Sequence, residues 1–427
     1  MIKFDTTYAN IGITESKLKS KYQKKVNQIH EQVVNKTAPG VNMMGWMHPE
    51  NLDKNEINTM IKKSREWSQA KIKNILVIGI GGSYIGIKAA IDMINIPFIK
   101  KPFNITYVAN ISSSYIAGLL NSLGNEPFAI VIISKSGTTL EPAIAFNVFR
   151  SKLIQNVGIK RASELIVAIT DKSKGTLYEL SKANDYTMLS IPDNIGGRYS
   201  TLTAVGMFIF VLNGLDCNQI LKGATDAFKH LSSTSLDENT AFLYACYRHY
   251  FYTKRKIQVE NFIVYDPTLS FVGEQWKQLF GESEGKNHKA MYPTTSLFTT
   301  DLHALGQYLQ EGTRNFIETT LFVKESNLDL KLQIKSTDDK ISYLNNKSLH
   351  EINKIAFHST VQAHNIDGKV NNLIITIDKA NEYYYGYLFM WLSMAAMMSS
   401  YLLQVNPFDQ PGVEAYKLRM FEQLKKE

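Results

Sequence analysis

Phe128–Glu141 reads FAIVIISKSGTTLE, a run of six apolar residues, four of them β-branched, that breaks abruptly into hydroxyls, a lysine and a glycine. A short run that is apolar on both of its alternating faces predicts a strand covered on both sides, as in a parallel sheet packed between helices. Glu141–Gln155 then has helix-friendly composition. Runs of the same kind recur at Asn74–Gly79 (NILVIG), Asn104–Ala109 (NITYVA), Glu164–Thr170 (ELIVAIT) and Thr187–Ile191 (TMLSI), with a helical segment at Ser83–Asn95. The alternation predicts a doubly wound α/β domain of three layers. Such a fold presents its ligand at the carboxyl ends of strands, where loops meet helix N-termini.

The second half repeats the pattern less cleanly. Its strand candidates are Gln258–Tyr265, Phe316–Val323, Leu328–Ile334 and Asn372–Ile377, with helices at Leu269–Phe280, Asp301–Gln310, Ser348–Asn365 and Tyr383–Gln404. A second α/β domain is the natural reading, and Leu215–Asn239 is the most plausible boundary. The expected organisation is a helical N-terminal extension (1–45), a first domain (46–214), a second (215–405), and a C-terminal loop and helix (406–427).

The composition, 44% hydrophobic and 20% charged, is globular and excludes a disordered, collagen-like or disulfide-built chain. Forty-seven basic and 39 acidic side chains leave a net charge of +8, but the excess is spread out. Its densest run, Lys17, Lys19, Lys21, Lys24 and Lys25, suits a solvated helix face better than a nucleic-acid or membrane patch. Cys217 and Cys246 lie 29 residues apart in no paired motif, and Met1–Thr7 has no apolar core. A reducing, cytoplasmic setting without a secretory leader is therefore expected. Tyr383–Phe408 is uncharged over a membrane-spanning length, yet it contains Ser393, Ser399, Ser400, Gln404 and five tyrosines. With mean hydropathy at −0.17, a buried helix accounts for it better than a span.

Chemistry concentrates at five places. Gly79–Gly86 (GIGGSYIG) follows a strand like a dinucleotide fingerprint, but Tyr84 stands where the third glycine belongs and Asn110 where a ribose-binding acid would be. What remains is a tight turn around Gly82 and Ser83 that brings backbone close to a ligand, or a plain strand-to-helix turn capped by Ser83. Ser134–Glu141 (SKSGTTLE) gathers four hydroxyls at a helix start, which suits a phosphate monoester better than a capping loop. No Walker A sequence occurs, against an NTPase. Asp193–Ser200 (DNIGGRYS) brings Arg198 on a glycine-rich loop, either to meet negative charge developing on an oxygen or to form a structural ion pair. Gly281–Lys286 (GESEGK) reads as a glycine-bounded turn with two acids beside Gln278, and Thr300–His303 (TDLH) starts another helix. A carboxylate and an imidazole there could serve as base and acid, although His303 taken alone is as readily a cap. Asn406–Lys417 (NPFDQPGVEAYK) opens the C-terminal helix, where Lys417 could be an ordinary surface lysine. No spacing indicates a metal.

Taken together, and in this order from Gly79 to Lys417, the segments resemble the glucose-6-phosphate isomerase family of bacterial type. DNIGGRYSTLTAVG and NPFDQPGVEAYK resemble the family's two signatures, with Thr201 and Pro407 as slight departures. The resemblance implies two sugar-isomerase (SIS) domains, isomerisation of glucose 6-phosphate and fructose 6-phosphate through an enediol(ate), no cofactor and no metal. It implies that Gly82, Ser83, Ser134, Lys135, Ser136, Thr138 and Thr139 hold the sugar phosphate, with Gln278 and Gln410 also contacting substrate. Arg198 would stabilise the enediolate, Glu282 would move the proton, and His303 and Lys417 would assist ring opening. It also implies a homodimer with the histidine shared across the interface, and neither nucleic acid nor membrane as partner. A non-catalytic sugar-phosphate sensor would keep the hydroxyl loop without needing Glu282, His303 and Lys417 together.

Overall fold

The computed structural model describes residues 1–334 and 340–425. The chain forms two compact units: Met43–Asp226 with Asn381–Tyr387, and Met1–Asn42 with Ala227–Ala380 and Leu388–Glu427. The first unit thus starts close to the end of the N-terminal helix Glu15–Val34, which belongs to the other unit.

The described residues form strands β1 (Lys3–Asp5), β2 (Asn74–Ile78), β3 (Asn104–Val108), β4 (Phe128–Ile133), β5 (Ile166–Thr170), β6 (Thr187–Ser190), β7 (Val259–Val264), β8 (Tyr292–Leu297), β9 (Phe316–Glu325) and β10 (Asn372–Lys379). In the Met43–Asp226 unit, β3-β2-β4-β5-β6 is a wholly parallel sheet. Every residue of β4 and β5 is buried, which is why their sequences are continuously apolar. The strand order reverses between β2 and β4, because β3 lies on the far side of β2. The loops after β2 and β4 therefore flank a topological switch point, the usual place for a ligand in an open α/β sheet. Within this unit, Gly223 and Gly386 let two helices touch: a Cβ at either would lie 1.9 Å from a carbonyl oxygen, of Tyr383 and Ile220 respectively.

The second unit holds the sheet β1-β10-β9-β7-β8, parallel except for β1, which pairs antiparallel with β10. One strand expectation needs correction, and one strand was not foreseen. Leu328–Ile334 is not a strand: Leu328 and Leu330 are 70% and 62% exposed, and only an isolated bridge joins Lys331 to Ser348. Its leucines have no sheet edge to bury against. The edge position belongs instead to β8 (YPTTSL), where Pro293, lacking an N–H, is tolerated because only β7 pairs with that strand.

No helix of the described residues is long and apolar enough to cross a membrane. Glu382–Leu402 is apolar all round because it is buried all round, from Tyr385 to Leu402. Its last carbonyls are satisfied by lysines, Lys25 donating to Leu402 and Lys289 to Leu403 at 3.0 and 2.9 Å. The basic run on Glu15–Val34 is thus only partly a solvated face. Lys19 pairs with Glu15 and Asp237, and Lys21 lies over the Tyr250 ring.

Candidate active site

In the Met43–Asp226 unit the hydroxyl loop joins β4 to the helix Leu140–Val157. Gly137 takes φ +76°, and a Cβ there would lie 2.3 Å from the Leu177 amide nitrogen, so only glycine fits. The turn folds on its own hydroxyls: Ser134 Oγ accepts from the Gly137 N–H at 3.1 Å, and Ser136 Oγ from the Thr138 N–H at 3.2 Å. Thr138 Oγ1 lies 2.8 Å from Ser136 Oγ. Thr139 is the N-cap residue, yet its side chain makes no capping bond. Ser136 and Thr138 are exposed and Thr139 is half-buried at the positive end of an 18-residue helix. This is a cradle of neutral donors suited to a phosphate.

Lys135 has a different task from its neighbours. Its ammonium donates to the carbonyls of Pro192 and Asp193 at 3.2 and 3.1 Å and lies 3.7 Å from the Asp193 carboxylate. It straps the hydroxyl loop to the segment leading to Arg198. From the other side, Gly82 abuts that segment so closely that a Cβ would sit 2.0 Å from the Gly197 carbonyl oxygen. Arg198 itself is 4% exposed within the 3₁₀ turn Gly197–Leu202, its guanidinium 5.5 Å from the Tyr199 ring centre. Ser83 does not cap the next helix. It belongs to the 3₁₀ turn Gly81–Ser83, and Tyr84 occupies the N-cap of Ile85–Ile94. Gly82, the Ser134–Thr139 loop and Arg198 are thus brought to one sheet end by backbone contact and by Lys135.

In the second unit the acids lie on a helix, not on a glycine-bounded turn. Ser270–Glu284 runs straight through Gly281. The ~1 kcal/mol cost of that glycine is outweighed by burial of Trp276, Leu279 and Phe280 on the same helix. Gln278 and Glu282, one turn apart, are joined by a 3.0 Å bond from Gln278 Nε2 to Glu282 Oε1, and both are half-buried. Glu284 faces elsewhere and is fully buried, ion-paired with Arg248, which also binds Glu260 at 2.6 Å and Ser399 Oγ at 3.0 Å. Burial pushes the Glu284 carboxyl upward, opposed by the Arg248 charge. Tyr244 and Thr319 complete the shell around Glu260 at 2.7 and 2.6 Å.

His303 is exposed in the first turn of Leu302–Glu311. Gln410 is exposed just before the 3₁₀ turn Pro411–Val413, and Lys417 pairs with Glu414 at 3.0 Å on the helix Glu414–Leu424. That helix buries none of its residues; Tyr416, Leu418 and Leu424 are all more than half exposed. Sequence reasoning gave no role to Lys286 or Arg248. Lys286 lies within a quoted motif, whereas Arg248 sits in Thr240–Arg255 with no local signal at all.

The phosphoglucose isomerase family model matches residues 51–427. A glucose-6-phosphate isomerase of Mycoplasmopsis pulmonis (strain UAB CTIP) is 44% identical over 420 residues, covering 97% of each chain. Among solved structures, a hypothetical protein from Thermus thermophilus superposes with TM-score 0.88 at 25% identity, covering 99% of this chain and 100% of its own. A glucose-6-phosphate isomerase from Chlamydia trachomatis D/UW-3/Cx shares the fold, with TM-score 0.83 at 19% identity over 99% of this chain and 88% of its own.

Proposed function

The chain belongs to the phosphoglucose isomerase family and interconverts glucose 6-phosphate and fructose 6-phosphate; from that premise we propose a role in the reaction for each of the residues described above. The phosphate rests against Ser134, Ser136, Thr138 and Thr139 at the helix start, with Gly82 and Ser83 alongside. Lys135 supports that cradle by holding its loop. Glu282 takes the proton from C2 of the aldose, or C1 of the ketose, and returns it to the other carbon. Gln278 fixes the carboxylate rotamer and also meets the substrate, as does Gln410. The negative charge that grows on oxygen in the enediolate is met by Arg198. His303 and Lys417 move the proton that opens the sugar ring. What carries the assignment of the base is the Gln278–Glu282 bond, which holds one acid in place while the nearby Glu284 is committed to Arg248.

The working unit is a homodimer, with His303 acting on the partner's substrate. The exposed histidine and the exposed Tyr416, Leu418 and Leu424 of the helix Glu414–Leu424 support that reading. Two free cysteines, one of them buried, support a cytoplasmic setting.

Glu282→Gln is the direct test, since it keeps the shape and removes proton acceptance. The variant should bind fructose 6-phosphate while isomerisation and deuterium exchange at C1 fall together by ~10²–10⁴-fold or more. Retained exchange would place the base elsewhere.

A further inference from the structure

Lys286 follows the helix Ser270–Glu284 and leaves only 9% of its side chain exposed, although it carries a full charge. An ammonium has three donors, and three acceptors surround this one. They are the Ser283 carbonyl at 3.0 Å, the Asn406 carbonyl, and the Asp409 carboxylate at 3.0 Å. The first lies in the helical turn of Glu282, next to that residue. The other two lie about 120 residues on, in the segment that continues to Gln410 and Lys417. Asn406 is itself seated against Gly40, where a Cβ would come within 2.3 Å of its Oδ1. Its carboxamide also accepts from the Phe408 N–H at 3.0 Å.

We infer that Lys286 is a positioning residue that latches the C-terminal segment to the turn carrying Glu282, and so sets where Gln410 and Lys417 stand for ring opening. The inference rests on the roles proposed above for Glu282 and Lys417. The geometry gives it a direction. The turn of Glu282 is fixed independently by Arg248 through Glu284, whereas Asp409 belongs to a surface loop, its side chain 51% exposed. Losing the ammonium therefore releases the loop rather than the helix.

The test compares two ketoses, read as deuterium uptake at C1 in deuterium oxide. Fructose 6-phosphate closes to a ring, whereas 5-deoxyfructose 6-phosphate lacks the hydroxyl that closes it and stays open. Lys286→Met should lose about 10²-fold in kcat/KM on the ring-closing sugar, the scale of a catalytic group displaced by an ångström. On the open-chain sugar it should stay within about threefold of the unaltered enzyme. Asp409→Asn, a surface change that leaves the fold intact, should show the same selectivity at a smaller size. Lys286→Arg should recover part of the loss by keeping the charge. Equal losses on the two ketoses, or no loss, in both Lys286→Met and Asp409→Asn overturn the latch. Should Lys286→Met not fold, Asp409→Asn alone decides. Lys417→Ala checks the underlying reading. If it loses both sugars equally, the ring-opening role of Lys417 falls. Selectivity that persisted in Lys286→Met would then place the latch's effect on ring opening through Gln410.

Discussion

Thr139 shows how a position in the backbone assigns work to a side chain. It occupies the N-cap of an 18-residue helix, where threonine ordinarily accepts from the second or third N–H, and it makes no such bond. In the proposed function that hydroxyl and the helix-terminal N–H groups meet a phosphate whose phosphorus does not react. Groups that hold an unreacting part of the substrate stabilise ground and transition states alike. Thr139→Ala should therefore raise KM about tenfold or more, as for a hydrogen bond to a charged group, with kcat little changed. A kcat loss at constant KM would remove Thr139 from the cradle. At this scale the sequence did disclose that the clustered hydroxyls lie between a strand and a helix start. It did not disclose that the Lys135 ammonium turns to Pro192 and Asp193. Nothing in a linear motif says which way a lysine bends.

Among elements, continuous apolar runs disclosed β2, β4 and β5 because a strand covered on both faces needs no polar residue. Edge strands obey weaker rules, and β8 with its proline was passed over while exposed leucines suggested a strand that is absent. The glycines around Glu282 invited a turn, yet tertiary packing overrode local preference. The same helix end makes a stability prediction. Arg248 is enclosed by Glu260, Glu284 and Ser399 and stacks on the Phe280 ring at 4.1 Å. Arg248→Met leaves two carboxylates buried without their cation and should cost ~3–5 kcal/mol of stability. Glu284→Gln keeps a hydrogen-bond acceptor and leaves Glu260 as counter-charge. It should cost only ~1–3 kcal/mol and retain isomerase activity. Urea midpoints that rank the two variants in reverse would contradict this account. A second element-level effect depends on pH. Burial and the nearby Lys25 depress the His249 imidazole to about 4, and its Nδ1 lies 2.7 Å from the Tyr22 hydroxyl. Below the ordinary histidine value of 6.5 the unfolded chain binds this proton and the folded one does not. Stability linked to His249 is therefore complete above that value and declines as pH falls toward 4. The urea midpoint should drop over that interval, and His249→Gln should flatten the drop.

For the whole molecule, the proposed sharing of His303 gives a test that needs no structure of the dimer. His303→Ala and Glu282→Gln should each be nearly inactive as purified. Unfolded together and refolded, they should form mixed dimers in which one site has both residues intact and the other has neither. Random pairing restores about a quarter of the unaltered activity. No recovery despite proven mixed dimers would put His303 and Glu282 to work within one chain.

The close contact that Gly223 and Gly386 permit also bears on how the protein is made. Met43–Asp226 leaves the ribosome long before Asn381–Tyr387, yet both belong to one compact unit. At roughly 5–20 residues per second, the nascent first unit waits many seconds for its last piece. Its partner waits too, since Met1–Asn42 is synthesised first but packs with residues made much later. Translation and folding are therefore out of step along this chain, and neither unit can be expressed whole as a single contiguous fragment.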